Sequence, residues 1–271
     1  MKKFKVVGFP ISQSKSPALF KYIFKSLKIK AEYSAKEIKN SSDLKKFINQ
    51  CRQSKYIEGS NITMPYKEKI SSLIDCYDNI AKLTNSINCI KINDNKILGY
   101  NNDYYGFEKL IAINNINLKN TNNIVLGSGG SARTIILNLI NNNAKNISIL
   151  SRNKKTTSKI IEDFKQLNEK TSINIFNNKI SYENYNLINC TPIGLKKDTE
   201  KNILSQIALI NFDTIIDINY LYKNDFLNLC YKKIITGEDM FIFQAFKSLD
   251  IWFESKISNK LDYKKIKELI C

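Results

Sequence analysis

Residues 122–140, NNIVLGSGGSARTIILNLI, hold the clearest chemical signal in the chain. A β-type apolar run leads into Gly127, Ser128, Gly129, Gly130, Ser131 and Ala132, and a helical apolar pattern follows. This is G-x-G-x-x-G/A between strand and helix, the loop that receives a dinucleotide pyrophosphate. The first glycine permits the tight turn, the second lets backbone approach the phosphates, and the small Ala132 allows close helix–strand packing. Amides at the helix N-terminus then face the phosphates. About 20 residues further on, an NAD site would carry an acid for the ribose hydroxyl. Here the chain reads ISILSRNKK, so Ser151 and Arg152 stand where the acid would be, followed by Asn153, Lys154 and Lys155. A guanidinium with added positive charge suits a 2′-phosphate, which predicts NADP.

Histidine is absent, so no mechanism can rely on imidazole. The six cysteines (Cys51, Cys76, Cys89, Cys190, Cys230, Cys271) form no CxxC pair, which removes the usual zinc spacings and a disulfide framework; no metal is expected. A catalyst working near neutral pH would then draw its proton donor from Lys, Tyr, Cys, Asp or Glu. Lys67 ends the stretch NITMPYK, where Pro65 stiffens the turn that presents it. Alone, it reads as a solvated side chain in a lysine-rich protein. Asp103 alone reads as a helix N-cap before YYGFEKLIA, and Ser14 and Ser16 as caps for the helix that Pro17 opens. Two Tyr-x-x-x-Lys pairs of the short-chain dehydrogenase type exist, Tyr105/Lys109 and Tyr263/Lys267. The first precedes the nucleotide loop and the second lies in a terminal helical stretch, both wrong for that mechanism's order.

These residues need a scaffold, and 271 residues suffice for two α/β domains with a core each. The first half alternates FKVVGF with SPALFKYIFKSL, AEYSAKEI with SDLKKFINQC, and YIEGSNIT with PYKEKISSLI. That strand–helix rhythm predicts a largely parallel sheet flanked by helices. INCIKINDNKILGYNND reads as a hairpin turning at NDN, with a domain junction just after it. A second series follows: NNIVLG, KNISILSR, INIF, YNLINCT and FDTIIDI as strands, with SARTIILNLINN and KTTSKIIEDFKQL as helices. The tail, EDMFIFQAFKSLDIWFESK and DYKKIKELI, has helical apolar spacing. The expected boundaries are 1–103, completed by helices within 238–271, and 104–237.

The charge balance, 42 basic against 25 acidic residues giving +17, raises a nucleic-acid reading. The lysines are spread through every segment instead of forming a stripe, so solvated faces are expected and no nucleic-acid partner. No run approaches the roughly 20 apolar residues that cross a bilayer, and the opening MKKFKVVGFP is too short for a signal segment. A cytoplasmic protein without a membrane partner is expected.

Six motifs occur in order over nearly the whole chain: GFPISQSKSP (8–17), GSNITMPYK (59–67), GYNNDYYGF (99–107), GSGGSAR (127–133), NCTPIGL (189–195) and GEDMFIFQAF (237–246). Together they resemble the shikimate dehydrogenases. The resemblance implies an amino-terminal substrate-binding domain, a Rossmann-type NADP domain, terminal helices returning to the first domain, and an active site in the cleft between the two. The implied activity is NADPH-dependent reduction of 3-dehydroshikimate to shikimate on the route to chorismate and aromatic amino acids. By motif, Ser14 and Ser16 hold the substrate carboxylate, Thr63, Asn88, Asp103 and Gln244 contact its ring oxygens, and Tyr220 adds a contact. Lys67 is the implied acid/base, paired with Asp103. A hydride delivered to a carbonyl builds negative charge on oxygen that an ammonium can stabilise and protonate. The implied cofactor contacts are Gly127, Ser128, Gly129, Gly130, Ser131, Ser151, Arg152, Asn153, Lys154, Lys155, Thr156, Ile218 and Gly237. The family contains monomers and homodimers, and either is compatible.

Five positions depart from the family pattern. Gln13 and Phe20 stand where histidines are common, Asn102 where threonine precedes the aspartate, Ser151 where asparagine is usual, and Leu195 where methionine is usual. Asn102 adjoins the site and is expected to weaken substrate positioning. The competing readings are a quinate-active paralogue with relaxed cofactor use and a non-catalytic NADP-binding module.

Overall fold

The computed structural model describes residues 1–167, 169–177, 185–193, 201–220 and 225–270. Gly194 and Leu195 of the NCTPIGL motif, and Cys271, lie outside the described residues. The chain divides into two compact units, residues 1–106 with 241–271, and residues 107–240. The divisions fall inside two helices, α4 (Asn102–Ile113) and α8 (Glu238–Phe253).

The first unit carries a six-stranded sheet. Strand β1 (Lys2–Gly8) pairs in parallel with β2 (Ala31–Glu37) on one side and β3 (Ile57–Ile62) on the other. Beyond β3 the sheet turns antiparallel through β5 (Cys89–Asn93) and β6 (Lys96–Tyr100), and the two-residue β4 (Cys76–Tyr77) closes that edge. The NDN turn is the predicted hairpin: Asp94 and Asn95 both adopt positive φ, the backbone a two-residue turn of matching twist requires. Helix α1 (Ser16–Ser26) buries Leu19, Phe20, Ile23 and Phe24, and α2 (Ser41–Gln53) buries Leu44, Phe47, Ile48 and Cys51. That is the three-and-four spacing of one helix face. Asn40 caps α2 by accepting the Asp43 amide at 2.9 Å. A short α3 (Asn79–Thr84) follows the Asp78 cap. The amphipathic PYKEKISSLI does not form the expected α-helix but a five-residue 3-10 turn over Lys69–Leu73. The Lys67 carbonyl, which would start such a helix, accepts the Ile87 amide instead.

In the same unit, Trp252 of α8 stacks on Phe4 of β1 with centroids 4.5 Å apart and donates its indole N–H to the Ile90 carbonyl. Gly59 makes room for this, since a β-carbon there would strike the indole. The last helix, α9 (Tyr263–Ile270), buries Ile266, and Lys15 donates to its Ile270 carbonyl at 2.9 Å.

The second unit holds an all-parallel six-stranded sheet in the order β12-β11-β10-β7-β8-β9. The strands are β7 (Asn122–Leu126), β8 (Asn146–Leu150), β9 (Ser172–Ile175), β10 (Tyr185–Asn189), β11 (Asn211–Asp217) and β12 (Cys230–Thr236). Numbered locally, this is 3-2-1-4-5-6, the dinucleotide-binding order with its switch point between β7 and β10. The connecting helices are α5 (Gly130–Asn141), α6 (Lys154–Phe164) and α7 (Lys201–Ser205). Ile124, Val125 and Leu126 are fully buried, as a parallel strand covered on both faces demands. Strand β12, CYKKIIT, was not among the expected strands; it is a largely exposed edge whose two lysines break the apolar pattern. Among the described residues no helix is long and apolar enough to cross a membrane.

Candidate active site

The first unit brings Lys67, Asn88, Asp103 and Gln244 together. Lys67 reaches this point because the turn after β3 is tied down on both sides. The Thr63 amide donates to Val7 and the Tyr66 amide to the Thr63 carbonyl, while the Tyr66 hydroxyl donates to Ile38 at 2.6 Å. Gly8 lets this turn lie against β1, because a β-carbon at that position would collide with Thr63 and Met64. The Lys67 ammonium then sits 2.6 Å from Asp103 Oδ2, with side chains 17% and 8% exposed. A pair this enclosed is poorly screened by salt.

Asp103 lies in the first turn of α4, which begins at Asn102, so it is not the cap of that helix. Its second oxygen, Oδ1, accepts the Asn88 side-chain amide at 2.7 Å. Asn88 Nδ2 also approaches Gln244 Oε1 at 3.4 Å, and its Oδ1 accepts the Asn102 backbone amide at 2.7 Å. Both carboxylate oxygens are thereby committed, one to an ammonium and one to a neutral amide. Ser14 and Ser16 flank the start of α1, with the Ser16 amide donating to Ser14 Oγ at 3.3 Å. Neither caps it: Lys15 holds the cap position, and its side chain makes no bond to the helix end. That helix end offers amides and hydroxyls to an anion. Thr63 is half-buried in the same unit.

Of the departures, Phe20 stacks on Tyr33 at 4.2 Å and is core, and Gln13 is exposed. Asn102 is buried, and its side-chain amide is committed to Ser248 Oγ at 2.9 Å. Cys51 and Cys89 are buried, which pushes both thiols up to about 12 and leaves them protonated near neutral pH. Tyr263, of the second Tyr-x-x-x-Lys pair, stacks on Phe243 at 4.8 Å, with the Lys267 ammonium 5.9 Å from its ring.

In the second unit, Gly127 closes β7 with φ +104°, a conformation that favours glycine, and a β-carbon there would crowd Thr191 and the Cys190 carbonyl. Gly129 holds the α5 cap position with no side chain over the helix end, so a phosphate can approach the first-turn amides. Ser128 Oγ lies 2.7 Å from Thr156 Oγ1 and accepts from Ser151 at 3.1 Å, which ties the glycine turn to the start of α6. Asn153 caps α6 by accepting the Thr156 amide at 3.1 Å. Arg152, Lys154 and Lys155 are exposed around that cap. An uncapped helix end at a glycine turn, with basic side chains and no acid after β8, fits NADP.

At the ends of β10 and β11, Asp217 Oδ1 accepts the Asn189 side-chain amide at 2.9 Å and the Asn219 backbone amide at 3.1 Å. Asn219 in turn donates to the Thr191 carbonyl at 2.9 Å. Ile218 and Gly237 meet here, with Gly237 pressed so closely on the Ile218 carbonyl that no side chain fits. Tyr220 follows, half-buried. Burial pushes the Asp217 carboxyl up to about 6, against the amides that favour its charged form. Asp217, Asn189 and Asn219 escaped sequence reading, as did Asn61 and Ser248 in the first unit. The one available hint was the four-residue step from Gln244 to Ser248, a single helical turn.

A family profile described as the shikimate dehydrogenase substrate binding domain matches residues 6–90. A relative from Clostridium beijerinckii named shikimate dehydrogenase (NADP(+)) is 32% identical over 265 residues, covering 96% of this chain and 95% of the relative. The crystal structure of shikimate dehydrogenase 1 from Peptoclostridium difficile superposes with a TM-score of 0.82 at 26% identity, covering 100% of this chain and 97% of that one. That of shikimate dehydrogenase from Aquifex aeolicus gives 0.80 at 27% identity, with coverage of 100% and 97%.

Proposed function

This chain belongs to the shikimate dehydrogenase family, and from that premise we propose that it interconverts 3-dehydroshikimate and shikimate with NADP(H) as an oxidoreductase of aromatic amino acid biosynthesis. The observation that carries the reading is the enclosed Lys67–Asp103 pair at 2.6 Å, with Asn88 on the other carboxylate oxygen.

In the reduction, the Lys67 ammonium faces the substrate oxygen as negative charge grows on it, stabilises that charge and delivers a proton. In the oxidation, Lys67 takes up the hydroxyl proton. Asp103 fixes the ammonium and accepts a hydrogen bond from a substrate hydroxyl. Asn88, Thr63 and Gln244 supply neutral donors and acceptors to the remaining ring oxygens, and Tyr220 adds a contact. Ser14 and Ser16, at the open end of α1, hold the carboxylate. Gly127–Ser131, Ser151–Thr156, Ile218 and Gly237 would hold NADP(H), which supplies the hydride in reduction and takes it up in oxidation. Arg152, Lys154 and Lys155 would favour the 2′-phosphate through charge. In this reading the protein works in the cytoplasm on small molecules alone, as a monomer or homodimer.

The test is spectrophotometric. Purified protein is expected to oxidise NADPH with 3-dehydroshikimate and to reduce NADP with shikimate, with far lower activity on quinate. No turnover with either shikimate-series compound contradicts the proposal, and equal efficiency with NADH contradicts its cofactor half.

A further inference from the structure

The residues around Asp103 are themselves linked through a hydroxyl that no sequence motif marks. Ser248 lies one helical turn after Gln244 on α8 and is fully buried. Its hydroxyl donates to the Gln244 carbonyl at 2.9 Å and accepts two side-chain amides, from Asn61 at 2.8 Å and from Asn102 at 2.9 Å. One donor and two acceptor sites are thus all used, which is the full capacity of a serine hydroxyl.

The bonds close into a ring. The Asn102 backbone amide donates to Asn88 Oδ1, and Asn88 Nδ2 reaches both Asp103 and Gln244. From Gln244 the path returns through its own carbonyl to Ser248. Asn61 braces the ring by donating to the Asn88 carbonyl at 3.3 Å, and Tyr33 in turn donates to Asn61 Oδ1 at 2.8 Å. Three separate pieces of chain, β3, the start of α4 and α8, are therefore joined at one oxygen, and Asn88, just before β5, is tied to them through Asn61 and Asn102. An amide such as Asn88 has several ways to pair, and its orientation decides which group it offers to Asp103. With Asn102 N occupying Asn88 Oδ1, only Nδ2 can face the carboxylate.

We propose that Ser248, with Asn102 as its partner, is a positioning residue that sets Asn88 and Gln244 on the substrate side of Asp103. Asn102 precedes Asp103 in the chain, but the side-chain link from Ser248 reaches the carboxylate through Asn88 and Gln244. The inference rests on the substrate site proposed above. It also gives Asn102 a definite task, since its side chain is a hydrogen-bonded link between α4 and α8.

The experiment compares wild type, Ser248→Ala, Asn102→Ala and the double variant by shikimate titration calorimetry and by KM for shikimate and for NADP. Ser248→Ala takes the acceptor from the Asn102 amide and leaves the Asn61 amide only the longer bond to the Asn88 carbonyl, and it is expected to weaken shikimate binding on the order of tenfold, with the KM for NADP unchanged. Asn102→Ala removes one bond and is expected to cost roughly threefold. Because the two share a bond, the double variant should lose less than the product of the single factors. A merely structural role would lower the melting temperature and the active fraction while leaving shikimate affinity as it was. Unchanged affinity in the folded variants, or losses that multiply, overturns the inference and leaves the family activity standing. Should Ser248→Ala not fold, unchanged shikimate affinity in Asn102→Ala alone overturns it. Wild type that binds no shikimate overturns the site and the inference together.

Discussion

Asp103 in the first unit and Asp217 in the second are both buried against asparagine amides, and the two are held differently. Asp103 has an ammonium on one oxygen and an amide on the other. Asp217 has amides only, from Asn189 and Asn219, with Glu238 adding repulsion. An amide satisfies a carboxylate's geometry but brings no net charge to offset its burial, so Asp217 is driven up to about 6. An ammonium supplies that charge and a mobile proton as well. The contrast separates an ammonium–carboxylate pair, the arrangement that the proposed proton transfer requires, from a joint made by amides alone.

The largest effect that can break this comparison is expected at Asp103. Asp103→Asn keeps a hydrogen-bonding side chain but removes the charge facing Lys67, and kcat should fall by roughly 10²–10⁴. The matching change, Asp217→Asn, should keep kcat within a few-fold. Equal losses at both positions, read in the same steady-state assay, would erase the distinction.

Next in size is cofactor choice. Arg152→Ala should raise the KM for NADPH on the order of tenfold and leave that for NADH nearly unchanged, because only the 2′-phosphate needs the guanidinium. Parallel KM changes for the two cofactors would assign Arg152 to a general role.

The smallest effect lies in pH-dependent stability. Asp217 has its folded-state pKa raised, so the folded protein binds this proton more tightly than the unfolded chain. The resulting stabilisation is complete below 3.8 and is lost as pH rises through about 6, a gap worth ~3 kcal/mol. Asp217→Asn should therefore flatten the decline of unfolding free energy between pH 4 and 6, measured by urea titration at each pH. A variant curve parallel to that of wild type would mean the carboxylate is not desolvated as the structure indicates.

Much of this was legible in the chain because its signals are local. The glycine turn, the NDN hairpin and the helix opened by Pro17 are set by residues a few positions apart, and their elements formed where expected. The pairing of Lys67 with Asp103 was legible only through motif resemblance, since nothing in NITMPYK itself tells a paired lysine from a solvated one. What escaped depended on distant partners. Ser248 meets Asn102 across 146 residues and Asn61 across 187, and a buried serine on a helix looks like any other small residue. The PYKEKISSLI stretch misled because its apolar spacing is helical while its first carbonyl is claimed by Ile87. β12 was missed because an exposed edge strand need not alternate.

The most direct test replaces the Lys67 ammonium with an apolar chain of similar length. For Lys67→Met, shikimate affinity from calorimetry should stay within about tenfold of wild type while kcat falls by roughly 10²–10⁴. Turnover equal to that of wild type would contradict the assignment of Lys67 as the group that moves the proton.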